Sequence, residues 1–204
     1  MPLNEDLRLG FYLIPPPELC SEVLGMRQIA HDQYRLSAAL KFMIHMTIKG
    51  FFKPDSNINR QNLIEDLDRY ICGYEPFKIY PGDLRIFDSD RSLVIGFPRA
   101  HNEILWQLHK ECRTCLEPYI ALDSDFTPRE LGEFTPHITI SMIDGSLEIL
   151  KDAKDYLSDI KLNNPWYTVK NFKLYEFRSK SWGTDRWIYS LDWKILHTWR
   201  LRQQ

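Results

Sequence analysis

The 204-residue sequence is long enough for one ordinary domain or for two small lobes that share a core. Its composition, 44% apolar and 26% charged, excludes wholesale disorder, and its net charge of −2 argues against electrostatic wrapping of a long nucleic acid. It contains neither an apolar run that could span a bilayer nor an opening segment typical of a signal peptide. We therefore expect a cytoplasmic, monomeric protein without an obligate protein partner, and any nucleic acid that it binds should be short.

The first part of the chain alternates strand-like and helix-like segments. Leu7 to Ile14 is predicted to be a strand because it is largely apolar and ends at three consecutive prolines. The next predicted elements are a helix-permissive stretch over Glu18–Leu40, a strand over Phe42–Phe52, a helix over Asn59–Ile71, strands over Phe77–Phe87 and Arg91–Phe97, and a helix over Asn102–Ile120.

The second part repeats this order of elements. It predicts a strand over Thr135–Ile143, a helix over Leu147–Ile160, and strands over Trp166–Arg178 and Arg186–Trp193. The order strand, helix, strand, strand thus begins near Phe42 and again near Thr135, with no low-complexity linker between the two runs. This pattern favours one two-lobed α+β domain over residues 1–204 rather than two independent domains.

The cysteines and three further histidines predict no additional site. Four cysteines without an extracellular context suit a reducing compartment, and the only C-x-x-C pair, Cys112 and Cys115, lies on the apolar face of a predicted helix. A zinc site would need two more ligands at suitable spacing, so we expect both thiols to be structural and buried. Solvated or structural roles are also expected for His31, His101 and His109.

Both repeated runs open with a histidine and a threonine two residues apart. The first copy is His45-Met46-Thr47 and the second is His137-Ile138-Thr139. Because side chains alternate along a strand, each histidine should share a face with its threonine, while the apolar neighbours pack on the other face. Composition alone predicts about 0.24 such triplets with 6 histidines and 8 threonines, so two copies in equivalent places indicate a function.

These side chains are suited to acid–base chemistry at a phosphodiester. One neutral imidazole, of His45 or His137, can take a proton from the attacking water or hydroxyl while the other, protonated, gives one to the leaving oxygen. Thr47 and Thr139 can donate hydrogen bonds to the non-bridging oxygens. The scheme uses no metal and no cofactor, and it predicts a bell-shaped pH dependence centred near the ordinary histidine pKa of about 6.5. The two copies are too alike for the sequence to assign acid and base.

The paired motifs resemble those of the 2H phosphoesterase superfamily, which includes 2′-5′ RNA ligase-like proteins and cyclic phosphodiesterases. The likeness lies in Phe134-Thr135-Pro136-His137-Ile138-Thr139-Ile140 and in His45-Met46-Thr47-Ile48-Lys49-Gly50-Phe51-Phe52. The order of elements extends the likeness over most of the chain, from Leu7 to Trp193. The resemblance implies a bilobal α+β fold with two antiparallel sheets, helices packed outside, and a pseudo-twofold axis that places the motifs across a central groove.

Four other residues are weaker candidates for binding the substrate. By alternation, Lys49 falls on the same face as the first motif and could meet a phosphate, or it could be a solvated lysine at a strand end. Tyr175, Trp182 and Arg186 lie on and between the last two predicted strands, where they could contact a base or a phosphate. Ordinary core and turn roles are the alternative for these three.

The sequence therefore predicts a metal-independent phosphodiesterase that acts on a 2′,3′-cyclic phosphate, a 2′-5′ linkage or a small cyclic or linear oligonucleotide. Two alternatives stay open at this point. One is a nucleotide- or RNA-binding module with little turnover, and the other is a 2′-5′ RNA ligase that uses the same groups in the reverse direction.

Overall fold

A computed structural model describes residues 7–89, 91–121, 134–184 and 186–203 of the chain. Four α-helices and nine β-strands lie within these ranges. They are β1 (Leu7–Ile14), α1 (Pro17–Tyr34), β2 (Met46–Phe52), α2 (Arg60–Ile71), β3 (Phe77–Ile79), β4 (Leu84–Phe87), β5 (Ser92–Gly96), α3 (Arg99–Leu116), β6 (His137–Ser141), α4 (Leu147–Leu157), β7 (Tyr167–Val169), β8 (Asn171–Arg178) and β9 (Asp192–Arg200).

Most predicted elements are present with shorter bounds, and the last predicted strand is wrong. Residues 186–191 do not extend a strand: Trp187–Ser190 is a 3₁₀ turn, and β9 starts only at Asp192. Side-chain hydroxyls hold the chain here, because the Ser179 hydroxyl donates to the Trp187 carbonyl at 2.9 Å and the Ser190 hydroxyl lies 2.9 Å from that of Ser179. A second difference is that the strand predicted from residue 77 to residue 87 is split into β3 and β4, since the intervening Pro81 and Gly82 interrupt it.

The strands form two larger antiparallel sheets and a small third one in the described ranges. One sheet has the order β2-β1-β8-β9, the second has the order β4-β5-β6, and β3 pairs with β7 alone. The expectation of two sheets with helices outside therefore holds for the larger sheets, and the two-stranded ladder is an addition. All pairings between named strands are antiparallel.

Each repeat unit contains more elements than the sequence predicted. The order β1-α1-β2-α2-β3-β4 recurs as β5-α3-β6-α4-β7-β8, so each unit begins one strand and one helix before the predicted start. The two units exchange partners: β8 of the second unit pairs with β1 of the first, and β3 pairs with β7. This interlocking explains why the sequence shows no linker between the halves.

The helices are formed by local capping signals and by apolar stripes that pack on one continuous core. The Asn59 side chain accepts a hydrogen bond from Gln61 N at the start of α2, and Ser146 accepts one from Ile149 N at the start of α4. In α3, Cys112 is fully buried as predicted, whereas Cys115 is only half-buried. No helix among the described residues is long and apolar enough to cross a membrane.

Candidate active site

The two His-x-Thr motifs lie on end strands that face each other. Among the described residues, β2 pairs only with β1 and β6 only with β5, and the two strands lie in contact although they belong to different sheets. The alternate residues are buried on the opposite side of each strand: Met46 and Ile48 in β2, and Ile138 and Ile140 in β6, are at most 1% exposed. This burial fixes the register of each strand, because a one-residue slip would turn these apolar side chains out of the core.

His45 immediately precedes β2 and sits in a pocket of aromatic rings. The residue is 7% exposed, and its Nδ1 lies 2.9 Å from the carbonyl oxygen of Met43. The rings of Tyr12 and Phe42 meet the imidazole edge-on, with centroids at 4.6 and 4.8 Å. The imidazole is thus fixed both by a hydrogen bond and by packing.

His137, the first residue of β6, has an equivalent arrangement. It is half-buried, and its Nδ1 lies 2.8 Å from the carbonyl oxygen of Thr135, again two residues earlier. The ring of Phe87 meets this imidazole edge-on at 4.9 Å. The same local geometry is therefore built twice, once in each half of the repeat.

The shared hydrogen bond decides which ring nitrogen can do proton transfer. A carbonyl oxygen only accepts, so Nδ1 of His45 and of His137 must each carry a proton and donate it. In the neutral imidazole the lone pair then lies on Nε2, and in the protonated imidazole Nε2 carries the second proton. Nε2 is therefore the atom through which each histidine can act as base or acid.

The environment of His45 favours its neutral form strongly. Its pKa is lowered from the ordinary value to about 3, chiefly by burial, with a smaller contribution from the charges of Arg27 and His137 and against the opposing effect of the hydrogen bond to Met43. The effect of His137 on this pKa also shows that the two imidazoles lie within electrostatic reach of each other. At neutral pH His45 is therefore in its neutral form, with the lone pair on Nε2.

Both threonine hydroxyls are available to a ligand. Thr47 is half-buried and pairs with Tyr12 on β1, and Thr139 is 7% exposed and pairs with Val94 on β5. Within the described ranges, neither hydroxyl makes a hydrogen bond to another residue. Each can therefore donate to an oxygen of a bound phosphate without first breaking an internal bond.

Lys49 is buried rather than solvated. It is 2% exposed, and its ammonium lies 5.5 Å from the centre of the Phe52 ring, which rules out the alternative of a solvated lysine at the strand end. The β1–β2 pairing shifts register on both sides of the Phe11–Lys49 pair. Because of these shifts, alternation from Thr47 does not determine the direction of the Lys49 side chain.

The three weaker candidates fall into two groups. Tyr175 is 2% exposed and lies 5.8 Å from Tyr12, and half-buried Trp182 lies 5.1 Å from Phe51. Both therefore belong to the aromatic cluster that borders the first motif. Arg186 is exposed at the start of the 3₁₀ turn and is not part of that cluster.

The rings that pack on the imidazoles were not identified from the sequence. Tyr12 is 1% exposed, and it occupies the space above Gly10, where an added methyl group would lie 2.5 Å from the Tyr12 hydroxyl oxygen. A glycine in an otherwise apolar strand is a signal for such a close approach. Phe42 and Phe87 carry no comparable signal, because phenylalanine in or beside a strand usually belongs to the core.

Comparison with known families gives a decisive match over most of the chain. The sequence model of the 2′-5′ RNA ligase superfamily matches residues 15–179. The chain belongs to the 2′-5′ RNA ligase superfamily. No curated protein matches this superfamily member at the sequence level.

Solved structures of the same fold are similar to this superfamily member over nearly their whole length. The crystal structure of E. coli LigT complexed with 3′-AMP has a TM-score of 0.60 and 19% identity, covering 98% of this chain and 100% of LigT. LigT complexed with ATP gives 0.56 and 21%, with the same coverage. TT0787 of Thermus thermophilus gives 0.61 and 15%, covering 96% of this chain and 98% of TT0787. At these identities the likeness establishes the fold.

The depressed pKa of His45 predicts a specific loss of stability in acid. Unfolding returns this imidazole to an ordinary pKa of about 6.5, so below that pH the unfolded state binds more protons. The His45 contribution to stability is therefore complete above pH 6.5 and is lost as the pH falls towards 3. In the His45→Asn variant, the free energy of unfolding should fall less steeply over this range, by up to about 1.4 kcal/mol per pH unit.

Urea unfolding of both proteins at several pH values between 7 and 4 measures this difference. His45→Asn keeps a donor for the Met43 carbonyl but does not titrate. The other titrating groups affect the stability of both proteins equally, so the difference between the two curves reports His45. Parallel curves for the two proteins would mean that His45 is protonated in the folded state, contrary to its burial.

Proposed function

We propose that this protein is a metal-independent phosphodiesterase for a small nucleotide or a short RNA, acting on a 2′,3′-cyclic phosphate, a 2′-5′ linkage or a small cyclic or linear oligonucleotide. One observation carries the proposal: His45 immediately before β2 and His137 at the start of β6 flank two end strands in contact, and the Nδ1–H of each histidine donates to the carbonyl two residues earlier. Membership of the superfamily and the nucleotides in the LigT complexes, 3′-AMP and ATP, support the choice of substrate class.

In the proposed reaction, Nε2 of His45 is the general base and Nε2 of His137 the general acid. For a 2′,3′-cyclic phosphate, His45 removes a proton from water as the water oxygen bonds to phosphorus. The bond from phosphorus to one ribose oxygen breaks, and that oxygen takes the proton from Nε2 of His137. The product is a nucleoside monophosphate, and exchange of one proton with solvent at each imidazole restores the enzyme. The depressed pKa of His45 supports this order of roles.

The hydroxyls of Thr47 and Thr139 would stabilise the charge that develops on the non-bridging oxygens. Tyr175 and Trp182 extend the same site as candidate contacts for the base, and Lys49 and Arg186 stay candidates for the phosphate. In the described ranges, no group of three or more histidine, cysteine, aspartate or glutamate side chains is arranged to hold a metal.

Removing either threonine hydroxyl should weaken catalysis less than removing a histidine. A hydrogen bond to a charged group contributes roughly 1.5–3 kcal/mol. We therefore expect kcat/KM to fall about ten- to hundredfold in Thr47→Ala and in Thr139→Ala, and to return towards the wild-type value in the matched serine variants. Steady-state kinetics on the best substrate measure this, and alanine variants as active as the wild type would remove the hydroxyls from the mechanism.

The proposal is tested with a substrate panel incubated in EDTA. The panel contains 2′,3′-cyclic mononucleotides, 2′-5′ and 3′-5′ oligonucleotides and cyclic dinucleotides, and chromatography resolves the products. We expect hydrolysis of at least one 2′,3′-cyclic or 2′-5′ substrate, unchanged by EDTA. Binding without turnover would favour the nucleotide-binding module, and activity that EDTA abolishes and a divalent ion restores would contradict a metal-independent site.

A further inference from the structure

The two helices that follow the first strand of each repeat unit reach across to the motif of the other unit. α1 packs on β6, and α3 packs on β2. The eleventh residue of α1 is Arg27, and the eleventh residue of α3 is His109. Each side chain donates a hydrogen bond to the backbone of the motif strand in the other unit, although neither residue belongs to a motif.

Arg27 is buried and bonds only to backbone carbonyls in the described part of the chain. It is 2% exposed, and its Nε and Nη2 donate to the Thr139 carbonyl at 3.0 and 2.8 Å. Its Nη1 donates to the carbonyls of Ala39 and Phe42, at 2.6 and 2.8 Å. One guanidinium thus joins the second motif to Phe42, the residue three positions before His45.

His109 makes the corresponding link from the other side. Its Nδ1 donates to the Ile48 carbonyl at 2.7 Å, directly after Thr47 in the first motif. Its ring stacks on that of Phe134, with centroids 4.0 Å apart and planes within 3°. Phe134 lies three positions before His137. His109 therefore connects the first motif to the segment that leads into the second motif.

We propose that Arg27 and His109 are positioning residues that hold the two His-x-Thr strands at their working separation. The inference rests on the proposed function of the two motifs. β2 and β6 have no ladder hydrogen bonds to each other, because they are the end strands of different sheets. The hydrogen bonds of Arg27 to β6 and of His109 to β2 supply side-chain links where the two strands have no ladder between them.

A second anchor supports the role of Arg27. The carboxylate of Asp144, in the turn after β6, accepts hydrogen bonds from the backbone N–H of Ser37 and Ala38 at 2.5 and 2.6 Å. The segment that leads into the first motif is therefore tied at one end to the turn after β6 and at the other, through Arg27, to Thr139 on β6. The Arg27 guanidinium is also one of the charges that lower the pKa of His45.

The test compares Arg27→Met and Arg27→Lys with His109→Leu and His109→Asn. Displacement of reacting groups by about 1 Å can cost on the order of a hundredfold in rate, so we expect kcat to fall ten- to hundredfold in Arg27→Met and His109→Leu, with KM changed less than threefold. Arg27→Lys keeps the positive charge but loses the several N–H donors of the guanidinium, and His109→Asn places an amide donor near the former Nδ1. Each should therefore be more active than Arg27→Met or His109→Leu, respectively, and less active than the wild type.

Leu157→Ala is the matched control for stability. Leu157 is fully buried in α4, and its truncation should lower the melting temperature without touching the motifs. All variants are assayed well below their melting temperatures. Loss of kcat in Leu157→Ala equal to that in Arg27→Met, or unchanged kcat in the Arg27 and His109 variants, would overturn the proposal.

Nuclear magnetic resonance of the histidine rings gives a readout that does not require turnover. In Arg27→Met the pKa of His45 should rise and the ring signals of His45 and His137 should both shift, while neither changes in Leu157→Ala. If Arg27→Met does not fold, Asp144→Ala and His109→Asn carry the same comparison. Ring signals that shift while the wild type hydrolyses nothing would refute the proposed function alone. Ring signals that stay fixed in all these variants would refute the positioning role.

Discussion

Alanine at either His45 or His137 is expected to lower kcat/KM a hundredfold or more on the substrate that the panel identifies. General acid or base catalysis contributes about 10²- to 10⁴-fold, and each imidazole performs one half of a single proton-transfer cycle. Because the two act as a unit, the double variant should be little worse than the more damaged single variant. Steady-state kinetics of the two single variants and the double variant, with folding checked by circular dichroism, measure this.

Replacement of exposed His101 by alanine separates this effect from a general loss of histidine. His101 lies on the exposed side of α3, and its variant should keep full activity. Wild-type turnover in His45→Ala together with loss in His137→Ala would show that the first motif is merely structural. If the fold-losses in kcat/KM of the two single variants multiply in the double variant, the two histidines act in separate steps.

The acidic limb of the pH–rate profile should lie far below the position that an ordinary histidine would give. With the pKa of His45 lowered to about 3, this base stays neutral when the pH falls from 6.5 to 4.5. A base of pKa 6.5 would lose about fiftyfold in rate over the same range, because it is half neutral at pH 6.5 and only about 1% neutral at pH 4.5. Instead of the bell-shaped pH dependence centred near pH 6.5, we therefore expect a rate that stays constant down to acidic pH.

The single variants assign the two limbs. His45→Ala should abolish the acidic limb, because its base no longer titrates, and His137→Ala should abolish the basic limb, because the acid is absent. Profiles of kcat/KM between pH 4 and 9 test the loss of the basic limb and the wild-type plateau, and the acidic limb is tested by extending them towards pH 3, with stability measured at each pH. A wild-type rate that falls tenfold per pH unit from 6.5 downwards, while the protein stays folded, would show that His45 does not have the environment described above.

The motifs were predictable because strand alternation and repetition are local properties of the sequence. The H-x-T spacing alone places histidine and threonine together, and the burial of Met46, Ile48, Ile138 and Ile140 agrees with it. The repeated order of elements was also visible, although β1, α1 and α3 were left out of it and β5, the first strand of the second unit, was assigned to the end of the first. The final strand was placed too early because hydroxyl hydrogen bonds among Ser179, Trp187 and Ser190, rather than a ladder, hold the chain before β9.

The supports of the site could not be predicted in the same way, because they depend on contacts between distant segments. The Arg27 side chain reaches Thr139, 112 residues later, and His109 reaches Ile48, 61 residues earlier. Only Arg27 left a trace in the sequence, since it lies beside Met26 and four residues after Val23 on the buried side of α1. A charged residue within an apolar helix stripe indicates a specific buried partner, but it does not identify that partner.

Titration of the protein with adenosine 3′-monophosphate, followed by the ring nitrogen signals of its labelled histidines, tests most directly whether the two motifs form one phosphate site. If one phosphate reaches both imidazoles, the Nε2 signals of His45 and His137 should shift together with a single dissociation constant, and Thr139→Ala should weaken both responses equally. A response confined to one histidine, or two responses with different dissociation constants, would contradict the shared site.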